Sequence, residues 1–147
     1  MRLLIQRVTS ASVDVAGECI GAIEHGMLVF AGVQKMDDQR IVDKAVQRLL
    51  AYRVFSDEQG KMNLNVRDVG GSMLLVSQFT LAANTRSGLR PSFSSAAAPD
   101  EAAYWYEAMV EGLNRELEGK VETGRFGADM KVSLVNDGPV TFVLDIE

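Results

Sequence analysis

Apolar and polar positions alternate with a period of two at both ends of the chain and switch to a period near 3.6 in two internal stretches. At the start, Leu3, Ile5 and Arg7 project to one face while Leu4, Gln6 and Val8 project to the other. The same alternation continues through Ser12-Val13-Asp14-Val15 and Cys19-Ile20-Gly21-Ala22-Ile23, so the N-terminal third reads as hairpin strands. Ala16-Gly17-Glu18 and Glu24-His25-Gly26 supply the turns, and Met27-Leu28-Val29-Phe30-Ala31-Gly32-Val33 is an apolar run suited to a central strand. From Asp37 the period changes: Ile41, Val42, Ala45, Val46, Leu49 and Leu50 recur at helical spacing behind Asp37-Asp38, which can cap the first turn. Arg53-Val54-Phe55 and Met62-Asn63-Leu64-Asn65-Val66 then bracket a polar turn, Ser56-Asp57-Glu58-Gln59-Gly60.

The second half repeats the sequence of periods. A strand over residues 72–81 runs into an irregular segment over residues 82–98, and irregular segments of that length in compact domains are often functional. Ala98-Pro99-Asp100-Glu101 opens a helix with proline and acids in its first turn. Ala102, Tyr106, Met109, Val110, Leu113 and Leu117 form its apolar stripe, and it ends near Gly119. Residues 120–123, 130–135 and 140–146 alternate again and predict three more strands. No repeat, linker or low-complexity tract divides this order. The expectation is one α+β domain over residues 1–147, mostly antiparallel and barrel-like in its β-structure, with two main helices packed on one side.

Composition narrows the function classes. A chain of 147 residues, 47% of them apolar, can bury about 70% of its unfolded surface as one domain. No run of eighteen apolar residues is present for a membrane span, and residues 1–7 lack the apolar core and cleavage site of a signal peptide, which predicts a soluble, cytoplasmic protein. The net charge of −5 argues against a nonspecific DNA or RNA binder, without excluding an enzyme that grips one end of an RNA. Cys19 is the only cysteine and His25 the only histidine. An intrachain disulfide and a His-rich metal site are therefore excluded, and Cys19 is expected to pack as a small hydrophobe.

Two segments carry candidate chemistry. Ser77-Gln78-Phe79-Thr80 places three polar side chains in an apolar strand, where buried polar groups are unfavourable unless partnered. A serine or threonine nucleophile needs an adjacent base, and none stands beside Ser77 or Thr80. Strand alternation separates Ser77 and Phe79 from Gln78 and Thr80 unless the strand ends or bends there. A bend would free main-chain N–H groups near Phe79 and Thr80, able to stabilise an oxyanion; the alternative is a strand end whose polar residues meet water. Asn136-Asp137-Gly138-Pro139 reads first as a turn between two strands. Arg86 and Arg90 lie in a segment without acids and are by default solvated loop charges.

Ser77-Gln78-Phe79-Thr80, Arg90-Pro91-Ser92-Phe93 and Asn136-Asp137-Gly138-Pro139-Val140-Thr141, in this order behind the opening Met1-Arg2-Leu3-Leu4-Ile5-Gln6-Arg7-Val8, closely resemble the bacterial D-aminoacyl-tRNA deacylases. The resemblance covers essentially the whole chain. It implies hydrolysis of the ester joining a D-amino acid to the 3′-terminal adenosine of tRNA, with mischarged glycyl-tRNA as a further substrate and no metal or cofactor. The family's Ser-Gln-x-Thr motif falls on Ser77, Gln78 and Thr80, with Phe79 between them, and its Gly-Pro motif on Gly138 and Pro139. The resemblance further implies a cis Gly-Pro peptide that each subunit of a homodimer projects into its partner's active site. Such a unit offers main-chain carbonyls to the substrate ammonium and leaves no room for an L side chain. The competing reading is a noncatalytic dimeric RNA-end or ligand-binding module on the same fold.

Overall fold

The N-terminal alternation is realised as one continuous strand, β1 (Arg2–Val15), in a computed structural model that describes residues 1–147. Three strands pair with β1, all antiparallel. β2 (Glu18–Ile23) covers its second half after a turn in which Ala16 and Gly17 both take positive φ, the twist that suits a tight hairpin. β3 (Gly26–Gly32) covers its first half, from Arg2 opposite Gly32 to Val8 opposite Gly26. The last strand runs along the other edge over nearly the full length of β1.

α1 (Gln39–Ala51) follows β3. The two acids before it divide their roles. Asp38 is the N-cap and accepts from the Ile41 N–H at 3.0 Å, whereas Asp37 turns inward, accepting from the Met1 amine at 2.8 Å and the Gln34 N–H at 2.7 Å. A short hairpin, β4 (Phe55–Ser56) and β5 (Met62–Leu64), precedes β6 (Ser72–Ser77). β6 pairs parallel with β3, and β7 (Val121–Thr123) pairs parallel with β6 after α2 (Pro99–Leu117) has crossed over. The β-structure is thus mostly antiparallel, with two adjacent parallel pairs, β3–β6 and β6–β7, running to the β7 end of the sheet. A Cβ on Gly21 of β2 would lie 2.7 Å from the Thr123 carbonyl oxygen of β7, so the two ends of the sheet approach each other and nearly close a barrel.

β3 and β6 are buried on both faces, which explains why their sequences are unbroken apolar runs rather than alternating ones. Met27, Val29, Ala31, Met73 and Leu75 face the helices and join a cluster of 27 buried residues. Leu28, Leu74 and Val76 face the barrel interior with Val8, Ala11, Val13 and Ile23. Both helices lie on one side of the sheet, joined to that first cluster through Leu49, Tyr106, Met109 and Leu113.

Two expectations are corrected. Residues 130–135 and 140–146 are not separate strands but one, β8 (Lys131–Asp145), held as a unit because β1 offers a continuous partner edge. Cys19 is exposed, its thiol contacting only the Gly21 carbonyl at 3.6 Å, because Glu18 and Cys19 lie at the solvent end of β2. No helix is long and apolar enough to cross a membrane.

Candidate active site

The strand expected over residues 72–81 ends at Ser77. Its final ladder contact sets Ser77 opposite Ala31, with the Gln78 N–H donating to the Ala31 carbonyl at 2.8 Å. The chain then bends at Gln78 (φ −144°, ψ 79°) into a 3-10 helix, Phe79–Ala82. Gly32 makes the bend possible: a Cβ there would stand 2.9 Å from Leu81 Cβ and 3.1 Å from the Gln78 carbonyl oxygen. The first bond of the turn is made by the Leu81 N–H to the Gln78 carbonyl at 3.1 Å. The Phe79 and Thr80 N–H groups precede it, at the helix opening where no intrahelical acceptor exists, and Gln78 supplies no side-chain cap.

The bend replaces the alternation that would have separated the motif's side chains. Ser77, Gln78 and Phe79 line one cavity of about 260 Å³, faced by residues 126–130 and Val132. Thr80 is tied to this group through its hydroxyl oxygen, which accepts from Gln78 Nε2 at 2.5 Å. Ser77 and Gln78 are half-buried, whereas Phe79 is 59% exposed and packs its ring 5.1 Å from that of Phe93. From beneath, the Tyr106 hydroxyl donates to the Leu75 carbonyl at 2.8 Å and fixes α2 against β6 two residues before the site. Burial, and secondarily the charge of Glu107, pushes the Tyr106 phenol well above its ordinary range, so it stays protonated in this contact.

Gly138 and Pro139 are not among the residues lining that cavity. They occupy a bulge inside β8: Asn136 pairs with Val8 and Thr141 with Gln6, so four residues of β8 stand against Arg7 alone. This corrects the turn reading. The Gly138-Pro139 peptide is cis, and Gly138 has φ +136°. The base of the bulge is closed by Asn136, whose Oδ1 accepts from the Val140 N–H at 3.0 Å and whose Nδ2 donates to the Thr141 hydroxyl at 2.9 Å.

Arg7 is the residue that sequence reasoning passed over. Its side chain is only 12% exposed; Nε donates to the Asp137 carbonyl at 3.0 Å and lies 3.5 Å from the Asp137 carboxylate, while Nη1 donates to the Val54 carbonyl at 2.9 Å. The available signal was an arginine on the apolar face of an alternating strand, where a charge needs a partner. Residues 126–130, which face the motif, carried no signal at all.

The family model described as D-Tyr-tRNA(Tyr) deacylase matches residues 4–145. The chain is 59% identical over 145 residues to a Stutzerimonas stutzeri (strain A1501) protein named D-aminoacyl-tRNA deacylase, with 99% of each covered. Among solved structures it superposes on one described as c-Myc DNA Unwinding Element Binding Protein with TM-score 0.95 and 39% identity, covering 99% of this chain and 98% of that one. It also superposes on a probable eukaryotic D-amino acid tRNA deacylase with TM-score 0.85; at 18% identity, over 99% of this chain and 98% of that one, this likeness defines the α+β fold alone. The chain belongs to the D-Tyr-tRNA(Tyr) deacylase family.

Proposed function

We propose that this protein is a D-aminoacyl-tRNA deacylase, a cytoplasmic hydrolase that cleaves the ester between a D-amino acid and the 3′-terminal adenosine of tRNA and also clears mischarged glycyl-tRNA. The observation that carries the reading is the bend after Ser77, which gathers Ser77, Gln78 and Phe79 on one cavity in a chain matched to the family from end to end. Water attacks the ester carbonyl, the bond to the ribose oxygen breaks, and that oxygen leaves as the ribose hydroxyl while the amino acid departs as the free acid. The Phe79 and Thr80 N–H groups hold the oxyanion, and one such donor contributes about 10²–10³ in rate. Neither the single histidine nor the single cysteine has a role here, so the 2′-hydroxyl of the terminal ribose assists the proton transfer.

Selectivity rests with Gly138 and Pro139, delivered by the second subunit of a homodimer to the cavity beside Ser77 and Thr80. Main-chain carbonyls accept from the substrate ammonium, and backbone occupies the space an L side chain would need. Glycine has no side chain to exclude and is therefore accepted.

Incubation with D-tyrosyl-tRNA and L-tyrosyl-tRNA tests the reading, with release expected from the D ester only. Release from neither would leave the noncatalytic RNA-end-binding module, and equal release from both would overturn the selectivity. A substrate ending in 2′-deoxyadenosine should react at least tenfold more slowly, a barrier difference of about 1.4 kcal/mol. Trapping an acyl-enzyme on Thr80 would replace the backbone mechanism with a covalent one.

A further inference from the structure

At the far end of the 3-10 helix lies a second cavity, of about 230 Å³, whose polar lining comes from Arg2, Gln34, Asn84, Thr85, Arg86 and Ser95. The motif cavity touches the helix at Phe79 and this one touches it at Ala82. No carboxylate lines it, although acids outnumber bases in the chain. Arg2 is oriented from outside the cavity by the Asp145 carboxylate, 2.8 Å from its Nε, and its Nη1 lies 3.4 Å from the Leu81 carbonyl. Arg86 has no ion-pair partner.

The loop carrying Arg86 is tethered. Asn84 and Ser92 exchange two backbone hydrogen bonds, at 2.7 and 3.1 Å, and the Asn84 side chain accepts from the Arg86 N–H at 3.0 Å. The Ser95 hydroxyl donates to the Ala82 carbonyl at 2.5 Å. These contacts tether the backbone that carries Arg86 beside the helix, and its exposed guanidinium is left without an ion-pair partner.

We infer that this cavity binds a phosphate of the RNA: the one on the 5′ carbon of the terminal nucleoside, whose ester lies in the motif cavity. The inference rests on the deacylase reading. A 3-10 helix rises about 2 Å per residue, so the three steps from Phe79 to Ala82 set the two contact points roughly 6 Å apart along its axis, a span on the scale of one nucleotide. A guanidinium fork matches a phosphate in shape and charge, and a second arginine across the cavity supplies the remaining charge. Grip on the RNA thereby resides in two side chains, which reconciles an acidic protein with a polyanionic substrate.

Two minimal substrates test this: 3′-O-D-tyrosyl-adenosine and the same ester carrying a 5′-phosphate, each measured with wild-type protein, Arg86→Ala and Arg86→Lys. For the wild type, kcat/KM is expected to be about tenfold or more higher for the phosphorylated ester, the difference residing in KM. Arg86→Ala should bring that ratio close to one, and Arg86→Lys should keep part of it. With D-tyrosyl-tRNA, Arg86→Ala should also lower the slope of log(kcat/KM) against log[salt] by about 0.7, one single-strand phosphate contact. A wild-type ratio near one, or a ratio that Arg86→Ala leaves intact, removes the phosphate site while the deacylase reading stands. Failure to hydrolyse either ester or D-tyrosyl-tRNA removes both.

Discussion

Arg7→Met is the most informative single substitution, because Arg7, from β1, bonds both the Asp137 carbonyl in the bulge that carries Gly138 and Pro139 and the Val54 carbonyl just before β4. Methionine keeps the length and the apolar stem while deleting every donor. Two hydrogen bonds from a charged donor are lost, to the Asp137 carbonyl at 3.0 Å and the Val54 carbonyl at 2.9 Å, together with the 3.5 Å approach to the Asp137 carboxylate. Each such bond is worth about 1.5–3 kcal/mol, offset in part because methionine requires no desolvation of a charge at a site that is 12% exposed. The expected net loss is about 2–4 kcal/mol in urea unfolding. Deacylation of D-tyrosyl-tRNA should fall more than tenfold, since 1.4 kcal/mol of misplacement already costs about that in rate. Arg7→Lys, with its single ammonium, can reach only one of the two carbonyls and should recover no more than about half of either effect. A protein with Arg7→Met that unfolds at the wild-type midpoint and keeps the wild-type rate would show that the bulge is held by its own Asn136 contacts and needs no brace.

Three further outcomes follow from packing and burial. Gly26→Ala should prevent folding altogether, seen as loss of the cooperative transition, because its Cβ would fall 1.8 Å from the Ser72 carbonyl oxygen where β3 meets β6. Asp37→Ala should destabilise by about 3–5 kcal/mol in the same urea titration, as it strands the buried Met1 ammonium that Asp37 meets at 2.8 Å. Tyr106→Phe should cost about 1 kcal/mol at neutral pH by deleting the phenol's bond to the Leu75 carbonyl, which keeps the Gly124 N–H as its other donor at 3.1 Å, and should also flatten the alkaline limb of stability. The folded phenol holds its proton above the ordinary value near 10 while the unfolded chain releases it. Stability from this group is therefore complete below pH 10 and declines by about 1.4 kcal/mol per pH unit above it, a slope that calorimetry should find missing in the phenylalanine variant.

Local periodicity was sufficient where an element is determined by its own residues. The stripes Ile41 to Leu50 and Ala102 to Leu117 are the buried faces of α1 and α2, as spacing predicts. It failed where distant chain decides the outcome. Alternation cannot reveal that Gly32 clears space for the chain to bend after Ser77, nor that β1 offers an edge long enough to keep residues 131–145 in one strand around a four-residue bulge. Asp37 and Asp38 look equivalent as capping acids, and only the position of the Met1 amine separates them. The candidate site was legible in its motif residues because polar groups in an apolar strand are anomalous. Arg7 was not, since its partners lie 47 and 130 residues away and nothing in its neighbourhood names them.

The pairing of β1 with β8 has a consequence for how the chain is made. Arg2 stands opposite Asp145, so the edge of β1 waits for a strand that the ribosome makes 143 residues later. At about 5–20 residues per second, β1 spends several seconds with one long edge open, and contacts of that sequence separation also slow the folding step itself. During synthesis the N-terminal hairpin must remain soluble on its own, and Arg2, Gln6 and Arg7 are the polar residues that interrupt its apolar run in the half of β1 that pairs with β3.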